Sequence, residues 1–512
     1  MPSVVTPLER IARIAESPLS FSNGEKIDAL RALSVSLSDN VAAEQAEAIF
    51  ETVPLRAFYQ MFAAAGDDSE EEQYLVKILC EVVGKLLQPI GYQELVGDQS
   101  NATFLLQGLG HFSPSIRLLS LIQVEKCLES DEATEQVAHS NVFPMIITTI
   151  AFQDTGIASK AVDLTSKIGS KVPNALFEEN VNALQSLLSV NETVRFRVYE
   201  LVVNVSGSSD RAFDLGKTSG LLQTLIDEVR SPDLLLRLNA IEILGEVAVS
   251  SSGFAFLEKA EVLDSLTELM DNEDESDTGV VLTKSLAFKF FGKLGGNKDI
   301  IFEPIERKYH VFSRLHRCLD TSTNREILTV AIAAIGLIGS HPSNLQLLFR
   351  SSLKDYFVDS YRTSSGHIKA VYLQSLSKIL SVRDGPETEQ MTEDIYRSLE
   401  GRPSTLESLV QTAKQPVPEV RMAAFATLHA IATHTWGQQI MANSGDFLGY
   451  LLDRTTEHSL PGQQWKYAIV EALIRADNAV NIFGGHYPML QRYLREGPYY
   501  RPTEPVTAME SA

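Results

Sequence analysis

The sequence predicts an all-α solenoid, a chain of short helices stacked repeat upon repeat. Three observations point there: a helix that is apolar on almost its whole circumference, relatives of that helix at a steady spacing, and weak strand signals throughout. The helix lies in SPDLLLRLNAIEILGEVAVSSSG, Ser231 to Gly253. On a 3.6-residue wheel Leu234, Leu238, Ile241, Leu244 and Ala248 form one stripe, with Leu236, Ala240, Ile243 and Val247 beside it. The polar ribbon left over holds Asn239, Glu242 and Glu246 and is about 60° wide. Such a helix needs neighbours on both sides.

Its relatives include YLVKILCEVVGKLLQ from Tyr74, NETVRFRVYELVVNVS from Asn191, LTKSLAFKFFGKLGG from Leu282 and VPEVRMAAFATLHAIAT from Val417. Most copies carry a basic residue in the first helical turn: Lys77, Arg117, Lys160, Arg197, Arg237, Lys284, Lys369, Arg421 and Lys466. In NREILTVAIAAIGLIGS that place falls near Leu328 and the cation is missing. The mean spacing is about 43 residues, within the roughly 40–47 of HEAT and armadillo repeats. Between the greasy helices run a short helix, a small-residue turn and a second amphipathic helix, as in SSSGFAFLEKAEVLDSLTELMDNED. Three helices per unit, the last nearly all apolar, is the armadillo plan. The expected architecture is therefore an armadillo/HEAT-like right-handed superhelical solenoid of about ten to eleven repeats. A helical cap is expected over residues 1–66, repeats over 67–496, and a flexible tail over 497–512, where REGPYYRPTEPVTAMESA loses its periodicity.

Interruptions mark expected loops. DNEDESD, Asp271 to Asp277, reads as a solvated, disordered acidic connection extended by mutual repulsion, and GDDSEEEQ from Gly66 as a similar one. The longest interval, about 52 residues, contains RDGPETEQ and EGRPST between Arg383 and Thr405, which read as a surface insertion.

Bulk composition narrows the function classes. Of 512 residues 44% are hydrophobic, which excludes wholesale disorder, and the net charge of −22 disfavours nucleic acid and anionic membranes as partners. Cys80, Cys127 and Cys318 are too far apart for a disulfide scaffold and suit a reducing compartment. The N-terminus lacks the apolar run of a signal peptide, and the longest uncharged apolar run, Ile327 to Gly339, is too short to span a bilayer and reads as a buried helix.

Catalytic motifs are not found. GKTSG, from Gly216, lacks the earlier glycine of a phosphate loop, because Arg211 stands there. His310 and His316, or His429 and His434, are not spaced i, i+4, and there is no HExxH, CxxC or Gly-x-Ser-x-Gly. No catalytic residue, metal or cofactor is expected. What remains is the polar ribbon. In the armadillo plan the last helix of each unit lines the concave groove, with exposed positions at i and i+4: Glu200 and Asn204, Glu242 and Glu246, Lys289 and Lys293. Stacking would align these six as a partner-binding ladder. Arg197, Arg237 and Arg421, at helix starts, are expected to bond carbonyls of the preceding turn.

Several stretches carry a resemblance: TVRFRVYELVVNVS (Thr193–Ser206), TSGLLQTLI (Thr218–Ile226), FKFFGKLG (Phe288–Gly295), FLGYLLDRTTEH (Phe447–His458), WKYAIVEAL (Trp465–Leu473) and YLREGPYYRP (Tyr493–Pro502). In this order they resemble the 26S proteasome non-ATPase regulatory subunit 5 family, most distinctively at EGPYY, Glu496 to Tyr500. The resemblance implies an assembly chaperone of the regulatory particle base. It would hold the C-terminal domain of one base ATPase subunit, with associated base subunits, on its concave face and block premature docking on the core particle. It implies no catalysis, and a cytoplasmic, also nuclear, monomer is expected. The alternative is another armadillo-type adaptor or transport receptor for a protein or peptide. Receptors of that kind use a regular Trp/Asn ladder, whereas only Trp465 of the two tryptophans lies in an inner-helix block.

Overall fold

The computed structural model describes residues 6–64, 69–91 and 99–500, and every regular element among them is helical. They form two compact units, divided after Leu225. The first contains the inner helices α1 (Asn23–Ser36), α2 (Glu70–Leu87), α3 (Pro114–Cys127), α4 (Thr155–Lys171) and α5 (Glu192–Ser206), each packed on the next. The second contains α6 (Leu234–Val247), α7 (Thr278–Gly296), α8 (Arg325–Ile338), α9 (Gly366–Leu380), α10 (Pro418–Ala432) and α11 (Leu460–Ile474), again each on the next. Two shorter helices precede most of them, as Ser251–Lys259 and Val262–Asp271 precede α7. This is the helical solenoid the repeat spacing predicts.

Local chemistry explains where these helices start. Asp233, Asp277, Asn324 and Ser459 are N-caps whose side chains accept from the first free amides of α6, α7, α8 and α11. The apolar run Ile327–Gly339 lies mostly in α8, where Ile327, Ile332, Ile335 and Ile338 are fully or almost fully buried. No single described helix is long and apolar enough to cross a membrane.

Cations near the starts of the inner helices clamp the helix that precedes each within its repeat. The last carbonyls of a helix lack partners and carry the negative end of its dipole, so a cation placed there is favoured. Lys284 donates to the Asn272 carbonyl at 3.0 Å, Lys369 to that of Tyr361 at 2.7 Å, and Lys466 to those of Tyr450 and Asp453 at 2.7 Å each. Arg421 reaches the Gln415 carbonyl just before its helix at 3.5 Å, as expected. Arg197 does not stay local: it donates to Ile150 in the preceding repeat at 3.0 Å. The buried Nε of Arg237 has no hydrogen-bond partner. The expectation for these arginines therefore holds for Arg421 and fails for Arg197, because the neighbouring repeat offers an acceptor that sequence distance conceals; the bond expected of Arg237 is not seen.

The acidic stretch is a solvated connection, as expected, but an ordered one, and the other two expected loops contain helix. In the stretch from Asp271, Asp271 pairs with Arg314 at 2.8 Å and with Arg317, Glu275 accepts from Lys284 at 3.0 Å and Ser322 at 2.8 Å, and Asp277 caps α7. Cations and amides from adjacent helices take up the charges that would repel in isolation, so the segment is a built turn. Residues 66–68 lie outside the described residues. From Ser69 onward GDDSEEEQ is the start of α2, with a reciprocal cap between Ser69 and Glu72, and its acids suit the positive end of the helix. The long interval after Arg383 contains a regular helix, Pro386–Ser398, that buries Thr388, Thr392, Ile395 and Tyr396. The expected tail begins at Gly497. The carbonyls of Gly497 and Pro498 accept from Arg454 at 2.9 and 3.3 Å, whose guanidinium also lies over the Tyr493 and Tyr500 rings. Residues 501–512 lie outside the described residues.

Between the helices Phe302–Tyr309 and Val311–Thr321, Glu306 accepts from the Phe312 amide at 2.9 Å. Burial pushes its carboxyl up to about 7 from 4.5, against the opposing pull of the Phe312 and Val311 amides and Arg314. The folded value lies above the unfolded one, so this group's stabilisation is complete below pH 4.5 and is lost as pH rises through 7. The variant Glu306→Gln lacks that titration. Its unfolding midpoint, relative to the parent's, should rise across the window; a pH-independent difference would refute the assignment.

Candidate functional site

The polar ribbon of the opening helix meets its counterpart one repeat on. Because α6 and α7 lie side by side, Lys289 faces Glu242 at 2.7 Å and Lys293 faces Glu246 at 3.0 Å. A third rung follows, where Asn297 donates to the Val249 carbonyl at 2.7 Å. All four charged side chains are 41–60% exposed. At that exposure each pair contributes about 0–1 kcal/mol to folding, so the rungs are surface pattern more than structural glue. The hydrogen bond from Lys289 is the main reason the Glu242 carboxyl lies below its usual range. Beneath the rungs the two helices leave only about 10 Å³ of space, too little for a small molecule. The surface is suited to contacting another macromolecule.

The structure thus brings four of the six ladder residues together. Glu200 and Asn204 belong to the other unit, where both are exposed on α5 and have no side-chain partner among the described residues. Sequence reasoning missed a comparable rung in that unit. Glu125 of α3 accepts from Lys160 at 2.6 Å and Lys167 at 3.3 Å, both on α4, and Lys167 also pairs with Asp163 at 2.9 Å. The hydrogen bond from Lys160 is the main cause of the lowered Glu125 carboxyl. Opposite charges about one repeat apart on successive inner helices were the available signal.

The exposed strip changes character beyond α7. On α8 it includes the partly exposed Ala333 and Leu337, on α9 the exposed Gln374 and Lys378, and on α10 the partly exposed Met422, Ala426 and His429. The His429 ring meets Trp465 of α11 at 5.7 Å between centres, edge to face. Burial lowers the His429 imidazole, with Glu471 opposing. Few charges with aromatic and methionine surface is the composition of interface cores. The second unit thus offers charged rungs on α6 and α7 and a nearly uncharged strip from α8 to α11.

Among the described residues no group of three or more His, Cys, Asp or Glu is arranged to hold a metal ion. Gly216, in the former phosphate-loop candidate, is buried in a helix where an added Cβ would lie 2.3 Å from the Ser206 hydroxyl. It serves helix packing. Burial raises the thiols of Cys80, Cys127 and Cys318 to about 12, and all three are free.

Comparison with known proteins adds lineage to this geometry. Residues 12–512 match the family model described as proteasome non-ATPase 26S subunit. A Bos taurus protein named 26S proteasome non-ATPase regulatory subunit 5 is 29% identical, covering 99% of this chain and 98% of its own. The Homo sapiens protein of the same name is 28% identical over 91% of this chain and 94% of its own. Among solved structures, a designed armadillo repeat protein covers 49% of this chain and 99% of its own at 20% identity, with a TM-score of 0.36.

Proposed function

Because the chain belongs to the proteasome non-ATPase 26S subunit family, we propose that it is a non-catalytic assembly chaperone of the 26S proteasome regulatory particle base. A proteasome-related role follows from the family. In the finer reading, the exposed strip of the inner helices binds the C-terminal domain of a base ATPase subunit, with associated base subunits. This holds the module and blocks premature docking on the core particle. The protein acts as a monomer in the cytoplasm and also in the nucleus. One observation supports this mode of action above others: inner helices present an exposed strip, charged on α6 and α7, where the helices leave no room for a small ligand, and nearly uncharged beyond. Exposed charges give such a complex specificity and reversibility, as a chaperone that must leave requires.

The test uses purified base ATPase C-terminal domains and the full chain. Binding should weaken as salt rises, and Glu242→Lys with Glu246→Lys should weaken it by about tenfold. That double variant also places four cations together. A control therefore adds Lys289→Glu and Lys293→Glu, which restores both rungs with reversed polarity. Weak binding in the control as well indicates that the partner reads the surface pattern. Full recovery would mean that only the rungs' mutual neutralisation mattered. Parent-like affinity in the double variant, unchanged by salt, would remove the strip assignment.

A further inference from the structure

Lys369, at the start of α9, is a first-turn cation to which the fold supplies no carboxylate. Its ammonium donates to the Tyr361 carbonyl and stands 3.4 Å from the centre of the Tyr361 ring. Burial pulls it down to about 8, and no neighbouring charge opposes the shift. Beside it opens a cavity of about 410 Å³, bounded by the helix Ser352–Thr363, α9 and the loop before the helix Thr405–Ala413. Arg402 in that loop lines the cavity, is exposed, and has no side-chain partner among the described residues. Arg362 lines it too, though Asp359 at 2.9 Å and Glu400 at 3.1 Å already engage it.

The hydroxyls on the wall are free to donate. Thr405 accepts from the Gly401 amide at 3.2 Å, which leaves its own O–H available, and the Ser408 hydroxyl lines the same space. Three cations line the wall with one carboxylate, Glu400, and with Asp359 behind Arg362 the balance stays positive, in a chain whose net charge is −22. A concave wall focuses that surplus, and an anion held there gains charge-assisted hydrogen bonds that water cannot match. The planar fork of Arg402 suits the oxygens of a tetrahedral anion.

The geometry points to this cavity as a binding site for a phosphate-type oxyanion, held by Arg402 and Lys369 with Thr405 and Ser408 donating. The oxyanion is either free phosphate or the phosphoryl group of a phosphorylated serine. The assignment does not depend on the proteasome reading.

Calorimetric titration of the full chain with inorganic phosphate, and separately with O-phosphoserine, tests it at an ionic strength fixed with chloride. Saturable binding is expected with a Kd of about 1 mM or tighter. Arg402→Gln should weaken it by about tenfold without moving the unfolding midpoint, since Arg402 supports no contact in the fold. Lys369→Met should weaken it similarly if that variant folds. Tighter binding of O-phosphoserine assigns the site to an attached phosphoryl group, and tighter binding of phosphate to the free ion. No saturable heat with either probe, or an unchanged Kd in Arg402→Gln, would overturn the proposal.

Discussion

Replacing Lys466 with methionine removes hydrogen bonds from a buried ammonium and is expected to cost about 3–5 kcal/mol and to loosen the C-terminal end of the second unit. The side chain is 1% exposed, and its ammonium donates to the carbonyls of Tyr450 and Asp453 at 2.7 Å and to the Thr456 hydroxyl at 2.6 Å. Methionine fills the same volume but removes these bonds from a charged donor, worth about 1.5–3 kcal/mol each, and leaves the two carbonyls only the Thr456 hydroxyl, at 3.4 and 2.8 Å. Burial lowers the ammonium to about 8 from 10.5, so this group's contribution is complete above pH 10.5 and is lost as pH falls through 8. The methionine variant should lose that pH dependence along with its stability. Lys77 occupies the same place in the repeat pattern but is exposed, so Lys77→Met should change stability by less than about 0.5 kcal/mol. Denaturant titration of both variants decides the matter. Equal effects would show that the pattern, not the buried acceptors, sets the cost.

The second large effect is expected at Gly336, where α8 lies directly against α9. A Cβ there would stand 2.6 Å from the Cα of Ser375, a backbone atom that cannot step aside. Ser375 is itself tied to α8, donating to the Ile332 carbonyl at 2.9 Å. The preceding interface is equally close, since a Cβ on Gly292 would lie 2.8 Å from the Cα of Ala334. Gly336→Ala gains about 1 kcal/mol of helix propensity, yet it must separate two helices, so a net loss of about 1–3 kcal/mol is expected and more for Gly336→Val. Gly449 lies in the helix Gly445–Leu452 with nothing within 4 Å of an added Cβ. Gly449→Ala should therefore stabilise the protein by about 0.5–1 kcal/mol. If thermal unfolding moves both alanine variants in the same direction, the close approach of α8 and α9 is not what the glycine provides.

These contrasts mark how far the sequence could be read. The charged ladder was legible because exposure on a helix follows a 3.6-residue period: Glu200, Asn204, Glu242, Glu246, Lys289 and Lys293 are all exposed where that period places them. That Lys289 would neutralise Glu242 was not legible, because the pairing depends on the lateral register of two helices 47 residues apart. The same limit hid the order of the acidic loop from Asp271, since Arg314 and Ser322, which pair with it, lie in and just after another helix. The helix Pro386–Ser398 was read as an insertion because its apolar face is thin; Thr388 and Thr392 take buried places usually held by larger apolar residues.

By itself the sequence determined that the chain is helical, that its helices repeat about every 43 residues, and which ribbon of α5, α6 and α7 meets solvent. These properties are local: wheel periodicity and side-chain caps are encoded within a turn or two. Only the tertiary structure decided which cations are clamps and which are free, which acids are paired, and that Lys369 and Arg402 share one cavity wall. Those outcomes rest on contacts about a repeat apart, where a shift of one residue in packing would give every charge a different neighbour.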